Sequence, residues 1–321
     1  MRNLLWTYFI RLSLAIAMGV VLSSCEDEIK DYKYLEKDSR LVVNGILVAD
    51  SSFTLNITES LGILEDDLYK YVDNVEFEIL ENDVSLISNI SVDTGYYFSD
   101  ILPLPGATYT IRLRHDDFLD CETKINIPEK PEILKTEYIG RAQEGFMFNI
   151  TVNDNLETND YYTLSAYFID GYFEGDGTVI TDTIFTGPRY LEINTSDFNA
   201  ITGLYNSLVY QYNYEEGDFI SGDKILFSDN YISGNNLQFK VILSNFNFSV
   251  YAGTPLYFIL EAVNEDYVKF AKSMRKYNLI RDNPIAEKVY IYSNIEGGFG
   301  LVYGKSLTKD NLFLPRDFYN Q

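Results

Sequence analysis

Histidine, cysteine and basic residues are scarce in this sequence. One His and two Cys cannot supply the three or four ligands of these types that a zinc site needs. The 25 Lys and Arg are outnumbered by 48 Asp and Glu, and a net charge of −23 repels phosphates. The composition therefore argues against a zinc enzyme and against a nucleic-acid partner.

A hydrophobic run long enough to cross a membrane is missing from the start of the chain. The apolar run 12–22 is about half of the roughly 20 residues that a membrane-spanning helix needs. Arg2 and Arg11 supply the positive charge that is typical of an export signal. We therefore predict a cleaved signal peptide over residues 1–24.

Cysteine 25 stands where this signal ends. The segment Leu22-Ser23-Ser24-Cys25 resembles the bacterial lipobox, whose cysteine sulfur takes a diacylglycerol and becomes the first residue of the mature protein. An ordinary signal peptide with an incidental cysteine is the alternative. If Cys25 carries lipid, Cys121 has no partner for a disulfide within the chain, and we expect it to be a structural thiol.

Residues 25–39 are charged and contain few aliphatic side chains, so they are predicted to be an acidic tether. Its first acids, Glu26, Asp27 and Glu28, would be repelled by anionic lipid headgroups and would hold the tether away from the surface. Linker acids with no further role are the alternative.

Tyrosine and phenylalanine are abundant, at 27 and 21 residues, and both favour strands. Apolar and polar residues alternate with period two in many segments, and the clearest is GATYTIRLR at 106–114. The pattern predicts a mainly β protein of two antiparallel β-sandwich domains, Ig-like or transthyretin-like, over 40–128 and 129–321. The proline-containing segment IPEKPEI, 127–133, marks the boundary. One helix is predicted at 265–277, with Asn264 as its cap.

Catalytic and metal-binding patterns are weak. His115 stands beside Asp116 and Asp117, but no nucleophile motif accompanies it. The segment NDNLETND, 153–160, offers oxygen ligands without the glycine and ligand order of an EF-hand, which favours a polar loop over a calcium site. The glycines of IEGGFG, 295–300, are predicted to form a hairpin turn or bulge. We predict no catalytic residue, metal or cofactor.

Aromatic residues crowd one stretch that lacks sheet periodicity. Exposed rings can stack on sugars, so this stretch is the predicted place of ligand contact, with core packing as the alternative. The residues are Tyr205, Tyr210, Tyr212, Tyr214 and Phe219.

Three further stretches resemble a Bacteroidota lipoprotein family, the family of domain of unknown function 4249. They are SCEDEI followed by RLVVNGIL, ISGDKILFSDNYISG at 220–234, and NPIAEKVYIYSNIEGGFGLVYG at 283–304. The last is the most specific, because Asn-Pro, Ser-Asn-Ile and Gly-Gly recur in the family at matching spacing.

The resemblance implies an envelope lipoprotein, of a kind typically encoded beside TonB-dependent outer-membrane transporters. Residues 26–28 are similar to the acid-rich signal that sends such lipoproteins to the cell surface. We therefore expect a non-enzymatic accessory to nutrient uptake that is anchored in outer-membrane lipid and binds either substrate or a TonB-dependent receptor. A structural or adhesive surface lipoprotein is the alternative, followed by a hydrolase with an unrecognised carboxylate site.

Overall fold

The computed structural model describes residues 38–62, 65, 67–86, 90–142, 145–153, 160–175, 180–191, 193–194, 224–229, 236–244, 255–280, 283, 285 and 287–313. The described residues that follow Asp38 belong to one compact unit, Ser39–Gln321. Strands dominate this part of the chain and one helix near its C-terminal end accompanies them, so the mainly β prediction is confirmed.

The strands before the predicted boundary are short to medium in length. They are β1 Leu41–Val48, β2 Phe53–Glu59, β3 Glu76–Glu81, β4 Val84–Leu86, β5 Ile90–Asp93, β6 Tyr96–Ser99, β7 Thr108–Arg114 and β8 Cys121–Asn126. The elements after it include longer strands and the helix. They are β9 Glu132–Ala142, β10 Gly145–Asn153, β11 Tyr161–Gly175, β12 Ile180–Tyr190, β13 Ile193–Asn194, β14 Ile225–Ser228, β15 Asn236–Ser244, β16 Leu256–Val263, α1 Glu265–Ile280 and β17 Phe299–Leu312.

The strands form three sheets. The largest has nine strands in the order β12-β11-β16-β17-β1-β2-β6-β5, with β14 pairing on β11. The two four-stranded sheets run β13-β15-β10-β9 and β4-β3-β7-β8. Among the described strand pairs, β1 with β17 is the parallel one, and it places Val42 opposite Phe299. Through this pair the large sheet joins strands from both sides of the segment 127–133.

Two hydrophobic cores lie against one face of the large sheet. The first gathers side chains of β1, β2, β6 and β17 with those of the sheet that contains β7, including Leu55, Tyr97 and Ile111. The second gathers side chains of β11, β14 and β16 with those of β10 and β15, including Phe148 and Phe258. Burial of each large side chain stabilises the fold by about 1.5–3 kcal/mol.

Strand β7 shows how the sequence pattern becomes a buried face. Tyr109, Ile111 and Leu113 are fully buried, whereas Arg114 is exposed, as the alternation predicts. Arg112 pairs with Glu78 at 3.0 Å and with Glu122 at 2.7 Å on the two neighbouring strands. Predicted strands near 41–48, 53–57, 146–152, 237–243 and 256–263 are confirmed in the same way.

The helix α1 is confirmed and ends three residues later than predicted. The backbone N–H of Tyr267 donates to Asn264 Oδ1 at 3.3 Å, so Asn264 is the cap. The buried residues Val268 and Ala271 pack against Leu226 and Val263 of the large sheet. Among the described residues, no helix combines the length and apolar character that crossing a membrane requires.

The glycines at 297–298 do not join two strands of a hairpin, and that part of the prediction is wrong, because residues 287–295 contain no strand. The need for close backbone approach is confirmed. Gly297 has a φ of +78°, and a Cβ there would lie 2.1 Å from the carbonyl oxygen of Asp120. A Cβ at Gly298 would lie 2.6 Å from the carbonyl oxygen of Leu41. Here glycine lets the chain pass between β1 and β8.

Candidate functional site

The residues predicted to carry lipid, surface export and ligand contact are not placed by the structure. Cys25, the acids 26–28 and the aromatic residues of 205–219 all lie outside the described residues. Functional geometry must therefore be sought in the described part of the body.

The large sheet has one face on the two cores and an opposite face, which we call the outward face. Side chains alternate along each strand, so the neighbours of core residues point outward. Tyr96 and Phe98 flank the buried Tyr97 on β6, and Tyr167 lies between Ala166 and Phe168 of the second core. The helix α1 covers part of this face, with the Tyr267 ring 4.7 Å from that of Tyr303.

Four aromatic residues stand exposed at one end of the outward face, and we call them the aromatic strip. They are Tyr69, Tyr71, Tyr96 and Phe98, with 59%, 41%, 41% and 43% of their surface exposed. The ring centroids of Tyr69 and Tyr71 are 6.2 Å apart, with planes 20° from parallel. Those of Tyr71 and Tyr96 are 5.9 Å apart at 41°. Adjacent exposed rings form an apolar surface that water contacts.

A tight turn supports the aromatic strip. Gly95 has a φ of +73°, and a Cβ there would lie 2.7 Å from Tyr71 Cδ1, so the Tyr71 ring rests on the glycine. The N–H of Gly95 donates to Asp73 Oδ1 at 2.9 Å. Tyr71 also forms an isolated antiparallel β-bridge with Thr58 of β2. Partial desolvation and the neighbouring Tyr96 raise the pKa of Tyr71 above its ordinary value.

The buried Tyr97 binds the backbone next to the aromatic strip from the core side of the sheet. Its hydroxyl donates to the carbonyl oxygen of Val72 at 2.8 Å and accepts from the N–H of Val75 at 3.2 Å. Both backbone groups belong to the segment that follows Tyr71. The backbone that follows Tyr71 is therefore hydrogen-bonded to a core residue, which restrains the position of the strip.

Sequence reasoning missed the aromatic strip. Tyr69 and Tyr71 are two residues apart, and so are Tyr96 and Phe98, which is a signal that could have been noticed. The three consecutive aromatic residues 96–98 do not reveal which of them faces solvent, because a tyrosine, with an apolar ring and a polar hydroxyl, fits either face of a strand.

A second group of polar side chains lies at the other end of the outward face, and we call it the lysine–glutamate triad. The Nζ atoms of Lys224 and Lys305 donate to the two oxygens of Glu261, each at 2.6 Å. The hydroxyl of Thr163 donates to the Lys224-bound oxygen at 2.6 Å. The Glu261 side chain is only 8% exposed, compared with 15% for Lys305 and 33% for Lys224.

The two lysines keep Glu261 ionised. Burial alone would raise the pKa of its carboxyl, but Lys224 and Lys305 outweigh burial and lower the pKa to about 2. Each carboxylate oxygen is already hydrogen-bonded to an ammonium. Such a group neither gives up a proton as a general acid nor has a free oxygen to attack a substrate. The triad instead links β11, β16, β17 and the start of β14.

Stacked tyrosines lie further along β11 and β16, on the same face as the triad. The rings of Tyr167 and Tyr257 stack with centroids 4.9 Å apart and planes 14° from parallel. Lys309 Nζ lies 5.2 and 5.4 Å from the two centroids and donates to Tyr167 Oη at 2.6 Å. Burial raises the pKa of Tyr190, with Tyr167 and Glu261 adding to the effect. These rings pack on one another instead of standing free.

His115 does not form a base with an orienting acid. Its Nδ1 accepts a hydrogen bond from the backbone N–H of Asp117 at 3.2 Å. An orienting carboxylate would need Nδ1 to be the donor, and the Asp117 carboxylate is 4.0 Å away. The imidazole packs against the ring of Phe118, with centroids 5.2 Å apart, and serves the turn.

Cys121 is buried, and its thiol donates to the carbonyl oxygen of Leu119 at 3.5 Å. Burial raises the pKa of the thiol, so at neutral pH it is a protonated packing group rather than a nucleophile. The expectation of a structural thiol agrees with this position.

Metal ligands are not gathered anywhere in the described residues, where no three His, Cys, Asp or Glu side chains stand close enough to hold an ion. Of the predicted loop 153–160, residues 154–159 lie outside the description. The Asp160 N–H donates to both carboxylate oxygens of Asp229 at 3.0 and 2.9 Å. Asp229, which ends the Phe-Ser-Asp pattern, thus holds the residue that precedes β11.

The most specific family motif fastens the helix to the large sheet. Asn294 exchanges two hydrogen bonds with the backbone of Val302, at 2.6 and 3.1 Å. The Tyr292 hydroxyl donates to Asp266 Oδ1 at 2.6 Å, and burial and this contact raise its pKa. The Tyr292 N–H donates to Ser273 Oγ at 2.8 Å. The Ser-Asn-Ile motif therefore has a structural explanation.

Comparison with solved structures adds nothing about function. A chain of the structure described as "Complete structure of manganese lipoxygenase of Gaeumannomyces graminis and partial structure of zonadhesin of Komagataella pastoris" matches at 11% identity and a TM-score of 0.19. The match covers 70% of this chain and 88% of that one. A TM-score this low carries no argument about fold or activity.

Comparison with curated proteins found no match. A family model does match, and it covers residues 26–310, which include both hydrophobic cores, the aromatic strip and the motif that fastens the helix. The chain belongs to the family described as domain of unknown function DUF4249.

Proposed function

We propose that this protein is a lipid-anchored binding component of the bacterial cell envelope. In this proposal the Cys25 sulfur carries the lipid, and the acids 26–28 direct the protein to the outer face of a Bacteroidota outer membrane. The body binds substrate or a TonB-dependent receptor as an accessory to nutrient uptake. It performs no catalysis.

The aromatic strip is the observation that carries the binding role. Four exposed rings, with 41–59% of their surface in contact with solvent, contribute little to the core, yet Gly95 supports the Tyr71 ring and the Tyr97 hydroxyl ties the backbone after Tyr71 to the core. A contiguous exposed apolar surface with polar groups around it is typical of a binding site. Supporting a surface rigidly reduces the entropy that binding costs.

Two layered domains remain part of the proposal. The two separate cores support a pair of β-sandwich-like bodies, Ig-like or transthyretin-like, that share the strands of the large sheet. In this arrangement the aromatic strip lies on the outward face over the first core, and the lysine–glutamate triad lies on the outward face over the second.

The hydrolase alternative receives no support from the best-placed carboxylate. Glu261 is buried, ionised and saturated by two ammonium groups, whereas an acid catalyst needs a raised pKa. Incubating the purified protein with glycans and peptides checks this point, and we expect no turnover above that of a boiled control.

Lipid anchoring is tested by Cys25→Ala, with Cys121→Ala as the matched control because that thiol is the buried second cysteine. We expect Cys25→Ala to abolish labelling by palmitate and to move the protein from the membrane fraction to the soluble fraction. Cys121→Ala should keep both properties. Unchanged labelling of Cys25→Ala would contradict the anchoring proposal.

The accessory role is tested by purifying the native protein from membranes under mild detergent. Co-purification of a TonB-dependent receptor would support uptake. Purification without a receptor, combined with loss of cell-to-cell or surface attachment in a deletion strain, would favour the adhesive alternative.

A further inference from the structure

We propose that the aromatic strip is a platform for a neutral carbohydrate chain. This inference rests on the proposed binding function and names the class of ligand that the strip would take. The residues that carry it are Tyr69, Tyr71, Tyr96 and Phe98.

The rings form a row on the surface and do not line an enclosed pocket. The Tyr69, Tyr71 and Tyr96 rings follow one another at 6.2 and 5.9 Å, and Phe98 continues the row two residues further along β6. An aromatic face attracts the C–H groups on the apolar face of a sugar ring. A row of such faces suits a chain of several sugar units better than one compact molecule, which would be bound in an enclosed pocket.

The surroundings supply acceptors for sugar hydroxyls. Asp73 lies at the Gly95 turn, where it accepts one backbone hydrogen bond at 2.9 Å, and a carboxylate has capacity for more. Asp93 ends β5 and accepts from the Thr94 hydroxyl at 3.1 Å. Hydrogen bonds to charged acceptors are stronger than those between neutral groups.

The charges select a neutral ligand. Lys70 at the edge of the strip is already paired with Glu65, so it offers no free cation to an acidic sugar. Asp73 and Asp93 remain, in a protein of net charge −23. Uronic acids, sulfated sugars and anionic lipid headgroups would therefore be repelled.

A small cation is the other ligand that rings and carboxylates attract, and the openness of the strip argues against it. Cation recognition uses rings that enclose the charge and remove its water. Each ring of the strip has at least two fifths of its surface exposed to solvent.

The test measures binding of neutral oligosaccharides to the full lipidated protein in detergent by isothermal titration calorimetry. The probes are hexasaccharides of β-1,4-glucose, β-1,3-glucose, α-1,4-glucose and β-1,4-mannose, and polygalacturonate serves as the acidic comparison. We expect at least one neutral probe to bind and polygalacturonate to fail. Absence of binding by every neutral probe would overturn the inference, and so would tighter binding of polygalacturonate.

The matched pair of variants is Tyr69→Ala and Leu68→Ala. Both residues are exposed, at 59% and 85%, and they are neighbours, but only Tyr69 belongs to the row of rings. We expect Tyr69→Ala to weaken binding about tenfold, which corresponds to about 1.4 kcal/mol, and Leu68→Ala to leave it unchanged. Equal affinity for the two variants would place the sugar elsewhere and overturn the inference.

Failure of this inference is distinguishable from failure of the proposed function. If Tyr69→Ala prevents receptor co-purification while no neutral sugar binds, the strip is a protein-docking surface and the carbohydrate inference is overturned. If neutral sugars bind and Tyr69→Ala weakens them while no receptor co-purifies, the carbohydrate inference is upheld and the accessory role is contradicted.

Discussion

The aromatic strip and the lysine–glutamate triad lie on the same face of one sheet and are built in opposite ways. The strip leaves apolar rings in water, whereas the triad buries the Glu261 carboxylate between two lysines. Removing a strip ring exposes little new surface, but removing Glu261 leaves the ammonium groups of two lysines without their counter-charge. The difference indicates that the strip serves a ligand and the triad holds strands together.

Replacing Glu261 should have the largest effect on stability. Glu261→Ala leaves Lys305 and Lys224 without their counter-charge, so we expect the free energy of unfolding to fall by about 3 kcal/mol. Glu265→Ala is the matched control, because Glu265 is exposed and pairs with Lys269 at 3.0 Å on the surface of α1. That variant should change the free energy by less than about 0.5 kcal/mol. Urea unfolding measures both, and equal effects would mean that the triad stabilises the fold no more than a surface ion pair does.

Acid should weaken the triad next. Because the pKa of Glu261 in the folded protein is about 2, below its ordinary value of 4.5, its contribution to stability is present above pH 4.5. That contribution is lost as the pH falls from 4.5 towards 2, by on the order of 3 kcal/mol. Wild type and Glu261→Gln, followed by urea unfolding between pH 6 and pH 2.5, should converge in stability. If the difference in the free energy of unfolding between the two proteins stayed constant over that range, the lowered pKa of Glu261 would be contradicted.

Removing the Tyr97 hydroxyl should have an intermediate effect. Tyr97→Phe keeps the shape of the core but leaves the Val72 carbonyl and the Val75 N–H without their partner. We expect a loss of about 1–2 kcal/mol in the free energy of unfolding. Tyr69→Phe, which removes an exposed hydroxyl, should cost nothing measurable. Equal melting temperatures for the two variants would show that the strip is not tied to the core.

Truncating the strip itself should have the smallest effect on stability. Tyr69→Ala removes an exposed ring that belongs to neither hydrophobic core, so the free energy of unfolding should change by less than about 0.5 kcal/mol. A loss of 2 kcal/mol or more in urea unfolding would mean that the ring is a packing element, and the functional interpretation of the strip would lose its basis.

Local patterns predicted the elements of the fold well. The strand over 41–48 and the alternation in 107–113 agree with the structure, and Asn264 caps the helix as expected. Each of these depends on residues close together in sequence, where strand period and capping chemistry act directly.

Long-range pairing could not be predicted in the same way. The parallel pairing of β1 with β17 places Val42 opposite Phe299, and the sequence of neither segment indicates which strand it pairs with. The helix α1 likewise buries Val268 and Ala271 and leaves Tyr277 exposed. The choice between such faces is made by the sheet that the helix packs against.

The candidate sites were harder still to predict. The triad draws Lys224, Glu261 and Lys305 from three separate segments, Thr163 joins it from a fourth, and sequence spacing selects none of them. The strip combines a segment without strand period with a run of three aromatic residues. The predicted ligand aromatics at 205–219 stay a prediction, because they lie outside the described residues.

The central claim is that the aromatic strip binds ligand and the lysine–glutamate triad does not. Its most direct test is calorimetry at pH 7 with a neutral hexasaccharide and two variants of the full protein, each checked to be folded by its melting curve. The account predicts that Tyr69→Ala weakens binding about tenfold and that Glu261→Gln leaves the affinity unchanged. Unchanged affinity in Tyr69→Ala, or an equal loss in Glu261→Gln, would contradict it.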